Sequence, residues 1–173
     1  CVKCGLEYIL DANGTCEHCN PEVFQRARLA KQRALMDALD AAGFKGTSTD
    51  VMIDGGDCGR ERPDRTFDFG DKIVVVECDE HQHRDRACQC EQTRMVNIGQ
   101  SYGGIPVYFI RWNPDDYASE KKPESLSNRY KELIAYLKGI QRRVYLKENT
   151  SLVSVMYMYY DDWCGDCEWT KVL

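Results

Sequence analysis

A chain of 173 residues with 43% hydrophobic side chains and a formal net charge of −5 can bury one sizeable core and carry a small appendage. The acidic balance argues against a general nucleic-acid coat, whose non-specific affinity comes from Lys and Arg displacing counterions. No apolar run approaches the roughly 20 residues that cross a bilayer, so the expectation is a soluble protein with no membrane partner. The start on Cys1, without a charged leader or cleavage site, reads as a fragment of a longer polypeptide with further domains upstream.

Ten cysteines without a signal peptide, most of them at metal-ligand spacing, suggest a reducing intracellular compartment rather than a disulfide scaffold. Cys1 with Cys4 and Cys16 with Cys19 form two CxxC knuckles eleven residues apart, the spacing of a zinc ribbon. So short a segment has too little apolar surface to fold without its metal, although a redox dithiol pair or oxidation to disulfides would use the same residues. Residues 1–20 are therefore expected to be a structural Zn²⁺ module and residues 21–173 the main domain. Cys88, Cys90, Cys164 and Cys167 form a second candidate zinc set, weighed against free thiols because a CxC pair is awkward for zinc. Cys78, alternating with acidic neighbours on a strand, reads as a core thiol.

Pro21 to Ala42 predicts a helix: Pro21 suits the first turn, Phe24, Leu35 and Leu39 lie on one stripe, Gly43 stops it, and the opposite face is basic. Val51 to Ile53 reads as a short strand. Arg65 to Phe69 and Lys72 to Asp79 read as a hairpin turning at Gly70 and Asp71. Glu91 to Tyr102 is helical in pattern, Ile105 to Trp112 is a strand of the sheet centre, Glu124 to Gln141 is a long helix, and Leu152 to Tyr160 is a last strand. This order describes one mixed sheet flanked by helices, an α/β (α+β) architecture.

The hairpin carries the chemistry. Asp64 lies at the entrance to its first strand, while Glu77 and Asp79 stand two apart on its second and so share a face. Three carboxylates converging there suit a divalent cation that polarises a phosphate and activates water. Surface placement would explain Asp79 and Glu80, but not Glu77, which extends a four-residue apolar run.

Arg62, Pro63 and Asp64, followed by Ile73 to His83 (IVVVECDEHQH), resemble the PD-(D/E)XK nuclease superfamily, in its branch related to very short patch repair and EDxHD homing endonucleases. The similarity runs through Arg94 to Ile98 and Phe109 to Asp115. It implies a restriction-endonuclease-like fold and a DNA endonuclease that uses Mg²⁺ or Mn²⁺ at Asp64, Glu77 and Asp79. Proteins of this appearance with cysteine-rich N-termini are familiar in large DNA viruses, which extends the expected compartments from nucleus and cytoplasm to a viral factory. Asp79 stands where the superfamily has lysine, so the usual cation must come from elsewhere. His83, then His81, are the nearest substitutes as a general base or metal-associated group. Arg94 and Arg111 would either face the phosphate or form structural ion pairs with the carboxylates. Glu22 is a lesser candidate for a first-helix acid. Two other readings stand beside the nuclease: a catalytically inactive, zinc-containing nucleic-acid-binding module, and a zinc-dependent interaction domain of a larger assembly. RNA or a hybrid duplex stays open as the nucleic acid, as does the oligomeric state.

Overall fold

Four β-branched residues in succession, Ile73 to Val76, leave neither face of a strand polar, so their segment has to be covered on both sides. The computed structural model describes residues 1–6, 10–46, 53–54, 60–83, 88–142, 151–165 and 168–173, excepting the side chains of 25–29, 53–54, 60–61, 83 and 88–90. After a helix α1 (Pro21–Ala41) come two short paired strands, β1 (Ile53–Asp54) and β2 (Arg60–Glu61). Then follow β3 (Arg65–Asp68), β4 (Ile73–Cys78), α2 (Cys88–Ser101), β5 (Val107–Trp112), α3 (Leu126–Gln141), β6 (Val153–Met158) and β7 (Thr170–Lys171).

The main sheet has the order β3-β4-β5-β6-β7. β3 and β4 form the expected hairpin, in the register Arg65 to Val76 and Asp68 to Ile73. It turns at Gly70, whose φ of +84° favours glycine and whose amide donates to Asp68 Oδ1 at 2.7 Å. β4, β5 and β6 are parallel, and every residue of β4 and β5 is buried. β7 closes the far edge antiparallel to β6.

Alternation along these strands divides the core. Val74, Val76, Ile110, Trp112, Met156 and Met158 pack with Leu35 and Leu39 of α1 and Leu133, Leu137 and Ile140 of α3. On the other face, Ile73, Val75, Val107, Phe109, Val153 and Val155 pack with Met95 and Ile98 of α2. The two parallel crossovers step in the same direction across the sheet yet pass over opposite faces, so they are of opposite hand, a departure from the usual right-handed rule. The mixed sheet flanked by helices is the architecture expected. α2 starts at Cys88, earlier than its apolar pattern suggested, and β6 stops at Met158 because Tyr159 takes a φ of +63°. The expected strand at 51–53 is described only at Ile53, within β1.

Candidate metal centre and strand-end carboxylates

At the N-terminus the sulfur atoms of Cys1, Cys4, Cys16 and Cys19 all lie within 4.8 Å of one another. Cys4 Sγ and Cys16 Sγ are 3.8 Å apart, close to the edge of a tetrahedron whose metal–sulfur bonds are about 2.3 Å. A contraction of about 1 Å at most brings the four thiolates onto one Zn²⁺. The Cys16 amide donates to Cys1 Sγ at 3.4 Å. Burial raises the Cys19 thiol, and the neighbouring thiols push it further, to about 11. Metal binding therefore has to displace protons.

Asp11 builds the second knuckle. Its Oδ1 accepts from the amides of Asn13 and Thr15, both at 2.9 Å, and its Oδ2 accepts from Thr15 Oγ1 at 2.6 Å and Asn20 Nδ2 at 2.8 Å. Those bonds, the one from the Thr15 hydroxyl foremost, lower its carboxyl to about 2. Asn20 is the N-cap residue of α1, but its side chain serves Asp11 instead of the helix, which ties the metal module to the first helix.

Glu77 and Asp79 lie on the α2 face of β4, beyond the apolar stretch Ile73 and Val75. The Asp79 amide still bonds the Trp112 carbonyl at 2.9 Å, so the ladder runs one residue past the strand. α2 mirrors this gradient: Met95 and Ile98 cover the apolar part, and Glu91 and Arg94, one turn earlier, reach the acidic end. Arg111 of β5 stands opposite Glu77 in the register.

The carboxylates are engaged by the protein itself. Arg94 Nη2 donates to Glu77 Oε1 at 2.9 Å and to the Arg62 carbonyl at 3.0 Å. Arg111, 2% exposed, donates through Nε to Asp79 Oδ2 and through Nη1 to Glu91 Oε2. The Tyr160 hydroxyl also donates to Asp79 Oδ2. Asp64 accepts from Gln32 Nε2 at 2.9 Å and from the Cys78 amide at 2.8 Å, which holds it beside the other two acids. Glu77 is only 3% exposed. Its burial, opposed by Arg94 and reinforced by Asp64 and Asp79, pushes its carboxyl up to about 8. Burial lowers the Arg111 guanidinium, but the charge of Asp79 and its hydrogen bond overcome that and raise it.

Among the described residues the four cysteines are the one group of His, Cys, Asp or Glu whose ligand atoms come together at metal-binding distances. Asp64, Glu77 and Asp79 share a strand end, with guanidinium groups on Glu77 Oε1 and Asp79 Oδ2. His81 faces Asp115 instead of this cluster: its amide donates to Asp115 Oδ2 at 2.8 Å, and its ring, 68% exposed, is 3.9 Å away. His83 ends a short 3₁₀ turn, Glu80–His83, and its side chain lies outside the described residues. The side chains of Cys88 and Cys90 lie outside them too, as does Cys167, while Cys164 is exposed. Cys58 is likewise outside. Cys78 is buried, and burial raises its thiol far above the usual range, as befits an inert core cysteine. Arg65 is buried and pairs with Asp40, at nitrogen–oxygen distances of 3.1 and 3.3 Å.

Sequence reasoning missed several residues that shape this end of the sheet. Gln82 and Asp161 exchange two bonds, at 3.0 and 3.2 Å, which pin the 3₁₀ turn to the corner after β6. Arg129 of α3 lies 5.5 to 6.0 Å from the ring centroids of Trp112, Tyr117 and Tyr159 and donates to the carbonyls of Asn113, Pro114 and Asp115. An arginine on the sheet-facing side of an amphipathic helix was the available signal for that clamp. Tyr160 had none. No protein-family model, curated protein or solved structure matches the chain.

Proposed function

We propose that the chain is a zinc-organised nucleic-acid-binding module of nuclease-like architecture, a ribbon over residues 1–20 followed by a domain over 21–173, in which the strand-end carboxylates form a buried ion network. The two arginines carry this reading. Arg94 on Glu77 and Arg111 on Asp79 and Glu91 supply positive charge to these carboxylates from within the protein. The nucleic-acid partner is supported by the resemblance around Asp64 and Ile73 to His83, and by the metal module tied directly to α1.

A metal-dependent DNA endonuclease is the second reading. It is favoured by the meeting of Asp64, Glu77 and Asp79 at the carboxyl end of parallel strands, the usual place for a site in an open α/β sheet. In that reading His81, His83 and Arg94 would serve the phosphate. One pair of assays separates the two. Fluorescence anisotropy with duplex DNA, single-stranded DNA and RNA, with zinc retained and Mg²⁺ absent, is expected to give salt-sensitive binding. Plasmid incubated with Mg²⁺ or Mn²⁺ is expected to stay intact. Cleavage that disappears in a Glu77→Ala, Asp79→Ala variant would transfer the conclusion to the endonuclease. Neither binding nor cleavage would leave the zinc-dependent interaction domain.

A further inference from the structure

Beyond β6 the chain makes a corner whose backbone takes φ values of +63° at Tyr159 and +64° at Asp162, both non-glycine. Gln82 and the Ala118 amide hold Asp161, and the Asn113 amide group holds the Tyr159 carbonyl at 2.7 Å, so the corner is fixed from three sides. On its outer side lies an open cavity of about 350 Å³, lined by Tyr157, Tyr160, Trp163, Cys164 and the carboxylates of Asp161, Asp162 and Glu168. The rings of Tyr157 and Tyr160 meet edge to face at 5.1 Å. Tyr157 is 40% exposed, beyond the two residues of β6 that β7 covers. Asp162 and Glu168 are exposed, and among the described residues neither forms an ion pair, the nearby Lys121 ammonium donating instead to the Cys164 carbonyl at 2.9 Å.

We infer that this cavity is a binding site for an alkylated ammonium group. Three aromatic side chains, Tyr157, Tyr160 and Trp163, line it and can offer π surface to a cation, and the carboxylates of Asp162 and Glu168 in the same lining supply the opposite charge. The same carboxylates repel phosphate, which separates this cavity from any surface that holds a nucleic-acid backbone. A bare ammonium would lose more hydration here than ring faces return, whereas a methylated one is weakly hydrated and suits such walls. The volume sits at the small end of ligand cavities and admits a head group rather than a whole cofactor. A methylated lysine side chain of a partner protein and a free quaternary amine share this chemistry.

The test is titration of the zinc-loaded chain with tetramethylammonium, with a trimethyllysine-containing peptide, and with neutral tert-butanol as the uncharged isostere, following the Trp163 indole resonance. Saturable shifts with the cations at about 1 mM or below, and none with the alcohol, are expected. The exposed Tyr157→Ala change, and separately Asp162→Asn with Glu168→Gln, should each weaken binding by about 3- to 10-fold. A peptide binding at least tenfold tighter than tetramethylammonium identifies a protein side chain as the source, and equal affinities identify the free amine. Absence of a saturable shift in the unmodified chain overturns the assignment, and so does equal binding of the alcohol. Neither outcome depends on a variant that folds.

Discussion

Glu77 offers the sharpest test of how this sheet end is held, because it is an acid at 3% exposure whose carboxyl rises from an ordinary value of 4.5 to about 8. Below the lower value both the folded and unfolded chains keep the proton, and ionisation costs nothing. Between the two values the folded chain holds a proton that the unfolded chain has released, so stability falls as pH rises, and the loss is complete above about pH 8. A difference of this size corresponds to at most about 5 kcal/mol at about 1.36 kcal/mol per unit, and relaxation around a buried acid reduces it to a few. Glu77→Gln keeps an oxygen for Arg94 but cannot ionise. Urea unfolding of both zinc-loaded proteins across about pH 5 to 9 should therefore give a stability difference that shifts in favour of the variant with rising pH, at up to about 1.4 kcal/mol per unit. The constant offset between them reflects the exchange of a neutral carboxyl for an amide beside Arg94, so only the slope is diagnostic. Parallel profiles would refute the reasoning, because Glu77 would then ionise in the fold as it does in the unfolded chain.

Three further expectations concern other parts of the structure. Asp11→Ala removes the acceptor that organises Asn13, Thr15 and Asn20, and should weaken zinc affinity by about 10- to 100-fold in a chelator competition; unchanged affinity would mean that the cysteines hold their geometry unaided. Arg111→Met takes away the cation shared by Asp79 and Glu91 and should cost about 3–5 kcal/mol in denaturant unfolding, an effect that adding Asp79→Asn should partly reverse if the buried charge is its cause. Gly99→Ala would drive a methyl group into Val153 where α2 crosses β6, and should cost about 1–3 kcal/mol, detectable as a lowered Tm.

Most of the sheet was legible in the sequence because its signals are local. The run Ile73 to Val76 bounded by Gly70 announces a buried strand and its hairpin, and Leu133, Leu137 and Ile140 recur at helical spacing on α3. The knuckles were legible for the same reason, since two residues between cysteines suffice to bring two sulfur atoms to one ion. β7 was missed, being two exposed residues that pair only because β6 offers an edge. The face that each crossover covers was also out of reach, since an apolar stripe states that a helix packs but not on which side. The spacing of Glu77 and Asp79 placed both on one face, but the identity of their partners depends on α2 and β5 arriving over the strand end with Arg94 and Arg111. That is a property of tertiary packing, and no window of sequence contains it.

The chain holds two clusters of acidic ligands and treats them differently. Four thiols stand together at the N-terminus with their sulfur atoms within 4.8 Å of one another, close to the separation a tetrahedral ion requires, and deprotonation there calls for a cation from solution. At the strand end Asp64, Glu77, Asp79 and Glu91 face two guanidinium groups, and the remaining imbalance is reduced further by the proton that burial keeps on Glu77. Arg111 ties Asp79 at the end of β4 to β5 and, through Glu91, to α2. Displacing Arg111 therefore disturbs the sheet and its covering helix together, whereas filling the cysteine site asks only that the sulfur atoms draw in slightly. Zinc at the ribbon is accordingly expected at one equivalent, and any Mg²⁺ or Mn²⁺ at the carboxylates only where nucleic acid offers the two arginines phosphate in exchange.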